Sequence, residues 1–548
     1  MNIGSINSAH ELMHTGRIKD AVRMLSELAE TDRDNVDVLR PLARAYIDSD
    51  QLLPALRIYD HLAELGLADA KDWYAMGSAL FDIGEHVQAV GALERSFKLD
   101  RHSLETQHRL AWAHYRLGNV DRTARLLESM ARREPSLDVL ASLATIIPSV
   151  PGASQRKIRK IRERFAEALA QEVKPGTLAH KRRGLNDRPR IGYVSSWFNS
   201  FNYMKPVWGL INQHNRDAYQ IYIYMDCDVD GEMIGYVPHE RDCLRTVTEM
   251  NNEQLAARIH DDRIDILVDL NAYSTQERLG LYLLRSAPVQ VAWFNMYATS
   301  GLQAFDYIVG DIETVRQGEE RFYTEQVERL PMSYLTFDVR HPVPPVVDPP
   351  CLENSWLTFG SLIVQYKITP QMIDVWAAIL RKTKDSRLFL ANTAMRSRHN
   401  RDWLTQCFVK HGVQADRIML SGPAEHYRYL ENYNRIDIAL DTWPYNGGTT
   451  TTEALWQGVP VLTREGDRWA ARTSQTIIRR THMDAFVASS TRDLIKRAVQ
   501  LAKDRNTPRR LQQLRKEMRE RLSASSACDT ALMAKSMEAF YRRVLSRN

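Results

Sequence analysis

The chain lacks what would place it in a membrane, a disulfide scaffold or a nucleic-acid complex. Five cysteines in 548 residues (Cys227, Cys243, Cys351, Cys407, Cys528) are scattered, odd in number and without metal-ligand spacing, so the expectation is reduced thiols in a cytoplasm. No apolar run reaches the ~18 residues that a membrane span requires. The opening MNIGSINSAHELMHTGRIKDA has no basic stretch followed by an apolar core, so no secretory signal is read there. The formal net charge is +5, from 73 Lys and Arg against 68 Asp and Glu, too weak to argue for nucleic acid. No G-x-x-x-x-G-K-[ST] loop occurs, which argues against a P-loop kinase or phosphatase. What remains is globular: 44% hydrophobic, 26% charged, and long enough for about three domains.

The first third is periodic. Small residues recur every 34 positions at Ala9, Ala43, Gly77 and Ala111, and again at Ala21, Ala55, Ala89 and Thr123. A third series, Leu25, Tyr59, Leu93 and Leu127, keeps the same register. Gly16, Gly84 and Gly118 mark the turn inside three repeats, Asp50 takes that place in the other, and Pro135 closes the array. Paired helices that cross closely need small residues at the crossing, and three series in one register resemble tetratricopeptide repeats. The expected repeat domain is 1–145. Its groove is expected to bind a protein or peptide, the alternative being homo-oligomerisation through the repeats.

The pattern breaks at IIPSVPGAS. A helical linker is expected over 146–187, its basic stretch QRKIRKIRERFAEALAQEV read as a solvated helix face. From residue 188 short apolar runs alternate with helical stretches: IGYVS, QIYIYMD, IDILVDL, VQVAWF and FDYIVGD, then LTFGS, RLFLAN, RIMLS, IDIALDT and VPVLT. The expected class is α/β with an N-terminal all-α solenoid: two Rossmann-like domains over 188–345 and 346–548.

Residues 436–463, IDIALDTWPYNGGTTTTEALWQGVPVLT, carry the most chemistry. An apolar run ends in Asp441; Asn446, Gly447 and Gly448 form a turn; Thr449, Thr450 and Thr451 open a helix that carries Glu453. A helix start offers unpaired N–H groups and the positive end of a dipole, and glycines let an anion approach the backbone. Such a turn holds a phosphate or diphosphate outside the strand ends, with a carboxylate one turn on for ribose hydroxyls.

The stretch LDTWPYNGGTTTTEALWQGVPV resembles the nucleotide-sugar signature of the O-GlcNAc-transferase and SPINDLY-like glycosyltransferases. RPRIGYVSSWF, the P-Q-V-x-W…TSG run, QYKITPQMIDVW and SGPAEHYRYLENYNR are similar to further segments of that family, over roughly 188–505. The resemblance implies a glycosyltransferase-B fold and an inverting, metal-independent transfer of a GlcNAc-like sugar from a UDP-sugar to a protein hydroxyl. It needs no cofactor beyond that donor. It also implies roles by position. Lys367 would neutralise the leaving diphosphate, Thr449 to Thr451 with Gly447 and Gly448 would hold phosphate oxygens, and Glu453 would take the ribose. Ala424 and His426 would face the base, and Arg472 matches an arginine after the second strand.

The sequence departs from the family on the acceptor side. Phe201 stands where a histidine is usual, Trp197 replaces an acidic residue, Lys205 replaces a second histidine of some members, and the turn reads NGG, not NGH. No general base is identified. Asp226, Asp228 and Asp230 offer a metal reading, set aside in favour of an acidic loop. The alternatives to protein glycosylation are transfer to a polysaccharide or lipid-linked glycan, and a non-catalytic scaffold that binds a nucleotide sugar.

Overall fold

The computed structural model describes residues 3–173, 176, 188–229 and 231–547. The chain divides into two compact units. One holds the repeat helices up to Arg133 together with Val364–Thr369 and Asn392–Cys407; the other holds Glu134–Ile363, Pro370–Ala391 and Phe408 onward.

In the first unit four helix pairs follow one another: α1 (Ile3–His14) and α2 (Ile18–Thr31), α3 (Val36–Asp48) and α4 (Leu52–Glu64), α5 (Ala70–Asp82) and α6 (His86–Leu99), α7 (Leu104–Arg116) and α8 (Val120–Arg133). The three periodic series are the core. Ala9, Ala21, Leu25, Ala43, Ala55, Ala89, Leu93, Ala111 and Leu127 are fully buried, and Thr123 and Tyr59 nearly so. Gly77 shows why the crossing demands a small residue: a Cβ there would sit 2.6 Å from Leu93 Cγ. The marked turns are left-handed, with φ of 76° at Gly16, 87° at Gly84, 85° at Gly118 and 58° at Asp50.

The second unit opens with α9 (Leu137–Ile146) and α10 (Gln155–Glu172). The basic helix α10 is more than a solvated face. Arg162 is buried, donates to the carbonyls of Ala144, Met296 and Thr299, and lies 3.9 Å over the Tyr273 ring. Gly301 has φ 81°, and a Cβ on it would meet the Arg162 backbone at 2.5 Å, so the Thr299-Ser300-Gly301 run is a seat for α10. The latter part of the expected linker, 177–187, lies outside the described residues.

Two parallel sheets follow. The first contains β1 (Arg190–Ser195), β2 (Gln220–Met225), β3 (Cys243–Thr246), β4 (Ile266–Asp269), β5 (Val289–Ala292), β6 (Tyr307–Asp311) and β7 (Gln326–Leu330), in the order β3-β2-β1-β4-β5-β6-β7. The second contains β8 (Thr358–Ser361), β9 (Arg387–Ala391), β10 (Ile418–Ser421), β11 (Ile438–Leu440), β12 (Val461–Arg464) and β13 (Val487–Ala488), in the order β10-β9-β8-β11-β12-β13. In each sheet the strand order reverses beside the first strand, the arrangement that leaves a crevice at the carboxyl ends of the strands. The central strands are buried throughout, as parallel sheets covered on both faces must be. The helix α11 (Phe201–Gln213), which follows β1, packs on the last helix, Thr530–Leu545, and also touches the helix Thr449–Trp456 of the second lobe.

Candidate active site

The glycine turn is fixed from below. Asp441, at the end of β11, is buried; its Oδ1 accepts from Gly447 N at 3.1 Å and its Oδ2 from Thr463 Oγ1 at 2.6 Å. Burial pushes the Asp441 carboxyl up, against these hydrogen bonds. Asn446 is buried beside it, donating its backbone N–H to Ala470 O and its side-chain amide to Thr442 O. Gly447 has no room for a side chain, since a Cβ would sit 2.2 Å from Thr450 Oγ1. Gly448 caps the helix Thr449–Trp456, which leaves the first-turn N–H groups directed out of its start.

The threonines divide. Thr449 and Thr450 are half-buried in that first turn. Thr451 differs from the expectation. It is buried, with its hydroxyl 2.7 Å from Ser474 Oγ and donating to Gly447 O, so it braces the turn from within. Arg472 also differs: it is buried in a two-point pair with Glu319 and donates to the carbonyls of Gly466 and Thr314. It ties the two lobes of this unit together. Sequence position matches the family arginine, but Glu319, 153 residues away, takes the guanidinium.

Glu453 is the centre of a cluster drawn from both lobes. Its Oε1 accepts from Lys205 Nζ at 2.7 Å and lies 3.0 Å from His426 Nε2, which is in turn 3.1 Å from Lys205 Nζ. An Nε2–H imidazole donates to the carboxylate, and the other tautomer accepts from the ammonium. Glu453 is 8% exposed and Lys205 5%. Burial raises the carboxyl, but the His426 hydrogen bond and the Lys205 charge outweigh it, so Glu453 stays below its ordinary range and ionised. Phe201 meets His426 and His341 edge-on, at 5.6 and 4.8 Å between ring centres, with Lys205 Nζ 4.8 Å from its ring. Burial, then the Lys205 and His426 charges, lower His341 to about 4, so it is a neutral imidazole near pH 7. A small pocket opens here between Lys205, His341, Thr449, Thr452, Glu453 and Trp456.

Ala424 is exposed just before the helix His426–Glu431. Lys367 ends a single 3-10 turn, Gln365–Lys367, that belongs to the repeat unit. In the first lobe Trp197 stacks on Tyr203 at 5.3 Å, and Tyr203 accepts from Asn295 Nδ2 at 2.6 Å. Asp226 is held by Arg278 through two hydrogen bonds and by Ser196, which commits its oxygens; Asp230 lies outside the described residues. Among the described residues no group of three or more His, Cys, Asp or Glu is placed to hold a metal ion.

Sequence reasoning named Lys205 only as a substitution and did not name His341. Nothing local marks either: Lys205 becomes significant only through a carboxylate 248 residues away, and His341 stands before a proline-rich crossing between lobes.

Two parallel α/β lobes, with a glycine turn and helix start at the strand ends of the second, define the two-lobed glycosyltransferase-B class. The Glycosyl transferase family 41 profile matches residues 170–354 and 348–537. The chain belongs to that family. It is 29% identical over 362 residues to the probable UDP-N-acetylglucosamine–peptide N-acetylglucosaminyltransferase SPINDLY of Solanum lycopersicum, covering 65% of this chain and 39% of that protein. The corresponding probable transferase SEC of Arabidopsis thaliana is 28% identical over 440 residues, 76% of this chain and 44% of that one. The chain thus spans about two fifths of the length of the curated relatives it matches. A solved structure of a lysine-to-methionine mutant of the Thermobaculum terrenum O-GlcNAc transferase superposes with a TM-score of 0.77 at 26% identity, covering 99% of this chain and 96% of that one. Among the described residues no helix is long and apolar enough to cross a membrane.

Proposed function

We propose that the protein transfers a GlcNAc-like sugar from a UDP-sugar to a serine or threonine hydroxyl of a protein acceptor, with inversion and without a metal. The observation that carries this is the turn Asn446–Gly448 at the start of the Thr449–Trp456 helix, fixed by Asp441 and Ser474 beside an ionised Glu453. The relatives' printed activities supply the donor and acceptor classes. In this reading the N–H groups of Gly448 to Thr450 and the hydroxyls of Thr449 and Thr450 take the diphosphate oxygens. Lys367 neutralises the charge that grows on the diphosphate as the glycosidic bond breaks. These donors act in the transition state, where fixed dipoles are worth most. Glu453, kept ionised by Lys205 and His426, accepts ribose hydroxyls, and Ala424 leaves space at the base. The acceptor hydroxyl enters from the lobe carrying Trp197, Phe201 and Tyr203, and the repeat groove presents the acceptor chain.

The test is UDP, GDP and CMP binding by calorimetry, followed by UDP release from UDP-GlcNAc with and without candidate protein acceptors. UDP-selective binding, and transfer that Lys367→Ala lowers by about 10²-fold or more, support the reading. Binding of GDP alone moves the donor to a GDP-sugar. Nucleotide binding with no turnover toward any acceptor leaves a scaffold in place of an enzyme.

A further inference from the structure

The segment that carries Lys367 folds with the repeats, not with the sheet it follows in sequence. Tyr366, beside Lys367, stacks on Tyr115 of α7 with ring centres 4.9 Å apart and planes 16° apart. The left-handed turn after α7 closes on the same segment. A Cβ on Gly118 would lie 2.2 Å from Ile368 O and 3.2 Å from Gln365 O, so the loop backbone rests directly on the glycine. A second grip comes from the preceding repeat. Asn400 accepts from Val87 N at 3.2 Å and donates to Gly84 O at 2.8 Å; Ser397 donates to Glu85, and Asn392 of the same stretch donates to Gln365 Oε1 at 3.4 Å. The turn of the fourth repeat therefore rests on the lysine loop itself, and that of the third holds the Asn392–Asn400 stretch, which reaches the loop through Asn392.

We infer that the last two repeats are a positioning element of the transfer site, with Tyr115 and Gly118 setting where the Lys367 loop lies, in addition to any acceptor their groove binds. The inference rests on the role proposed above for Lys367. A helical array is a stiff support, and a stacked ring with a backbone-on-glycine contact adds to the hydrogen bonds local to this short turn, Lys367 N to Val364 O and Ile368 N to Gln365 O. Displacing such a loop by about 1 Å is enough to cost on the order of 10²-fold in rate.

The experiment uses the full chain and two readouts, UDP affinity by calorimetry and kcat for UDP-sugar turnover. Variants are Tyr115→Ala, Tyr115→Phe, Gly118→Ala, Lys367→Ala and the Tyr115→Ala/Lys367→Ala pair. Gly16→Ala is the control, because Gly16 holds the same left-handed turn position with nothing within 4 Å of a Cβ. The expected result is that Tyr115→Ala and Gly118→Ala each lower UDP affinity and kcat by about tenfold or more. Tyr115→Phe, which keeps the ring stack, and Gly16→Ala retain both. On the Lys367→Ala background Tyr115→Ala costs nothing more, a non-additivity that a merely destabilised repeat would not give. Should Gly118→Ala fail to fold, the Tyr115 set decides alone. Wild-type UDP affinity and kcat in Tyr115→Ala, alongside a crippled Lys367→Ala, overturn the inference and leave the proposed function standing. A Lys367→Ala protein that binds and turns over normally overturns both.

Discussion

The repeat unit and the two-lobed unit solve the same problem, burying a core, with opposite kinds of contact. In the repeats almost every core contact joins residues within about one period, and the rules are written on the chain: a small residue where helices cross, a left-handed residue at each turn. In the two-lobed unit the decisive contacts join residues far apart. Lys205 reaches Glu453, Arg162 reaches Met296 and Thr299, and Arg472 reaches Glu319. Local contacts make a scaffold that can be lengthened or shortened by whole repeats. Long-range polar contacts make a site, because they bring unlike chemistry to one place and fail as a group when one member goes.

The comparison is broken most forcefully at Lys205. Lys205→Met leaves a buried carboxylate with only His426 and should destabilise the two-lobed unit by about 3–5 kcal/mol near pH 7, while amide exchange in the repeats stays as it was. The loss should shrink in acid. Glu453 sits below its ordinary value, so the stability it contributes is complete above that value and disappears as the pH falls through the lowered one. Chemical denaturation at two pH values checks both statements.

Arg162→Ala comes next. It strips the donor from three buried carbonyls, so about 3 kcal/mol should be lost, with exchange rising first around α10 and Met296–Gly301. Gly77→Val tests the other side. Its Cβ would fall against Leu93, and about 1–3 kcal/mol of overpacking should appear as raised exchange in α5 and α6, with the β1–β13 amides unchanged.

The smallest effect is an acid one in the repeats. Burial holds His86 and His114 near 4, below the 6.5 of a free imidazole. The unfolded chain takes up those protons first, so stability is complete above about 6.5 and declines as the pH falls toward 4. His114→Gln should flatten part of that decline, by on the order of 1 kcal/mol at pH 5.

The same contrast explains what could be read from the chain. The repeat register, its buried series and even Asp50 as a stand-in for a turn glycine were legible, because each depends on near neighbours. Ten strands were legible as apolar runs. The three others among the described residues are the edge strands β3, β7 and β13: Cys243–Thr246 is half-exposed, Gln326–Leu330 is polar, and Val487–Ala488 spans two residues. At the site, the turn and helix start were legible because a glycine pair followed by a run of threonines marks a turn and a helix N-terminus in consecutive order. The allotment of side chains was not. Thr451 looks like its two predecessors in sequence, yet one helical position turns it inward to Ser474. Arg472 matches a family position, but its guanidinium is taken by a carboxylate on the other lobe. Arg162 sits among many basic residues of α10, and only its burial under Thr299 and Met296 singles it out.

The central claim is that a nucleoside diphosphate docks on the turn and helix start at Gly447–Thr450. The most direct measurement is a crystal structure of the full chain with UDP. The account predicts diphosphate oxygens within hydrogen-bonding distance of the Gly448 to Thr450 N–H groups and of the Lys367 ammonium, with the ribose at Glu453. A diphosphate bound elsewhere, with the glycine turn and Glu453 untouched, would contradict it.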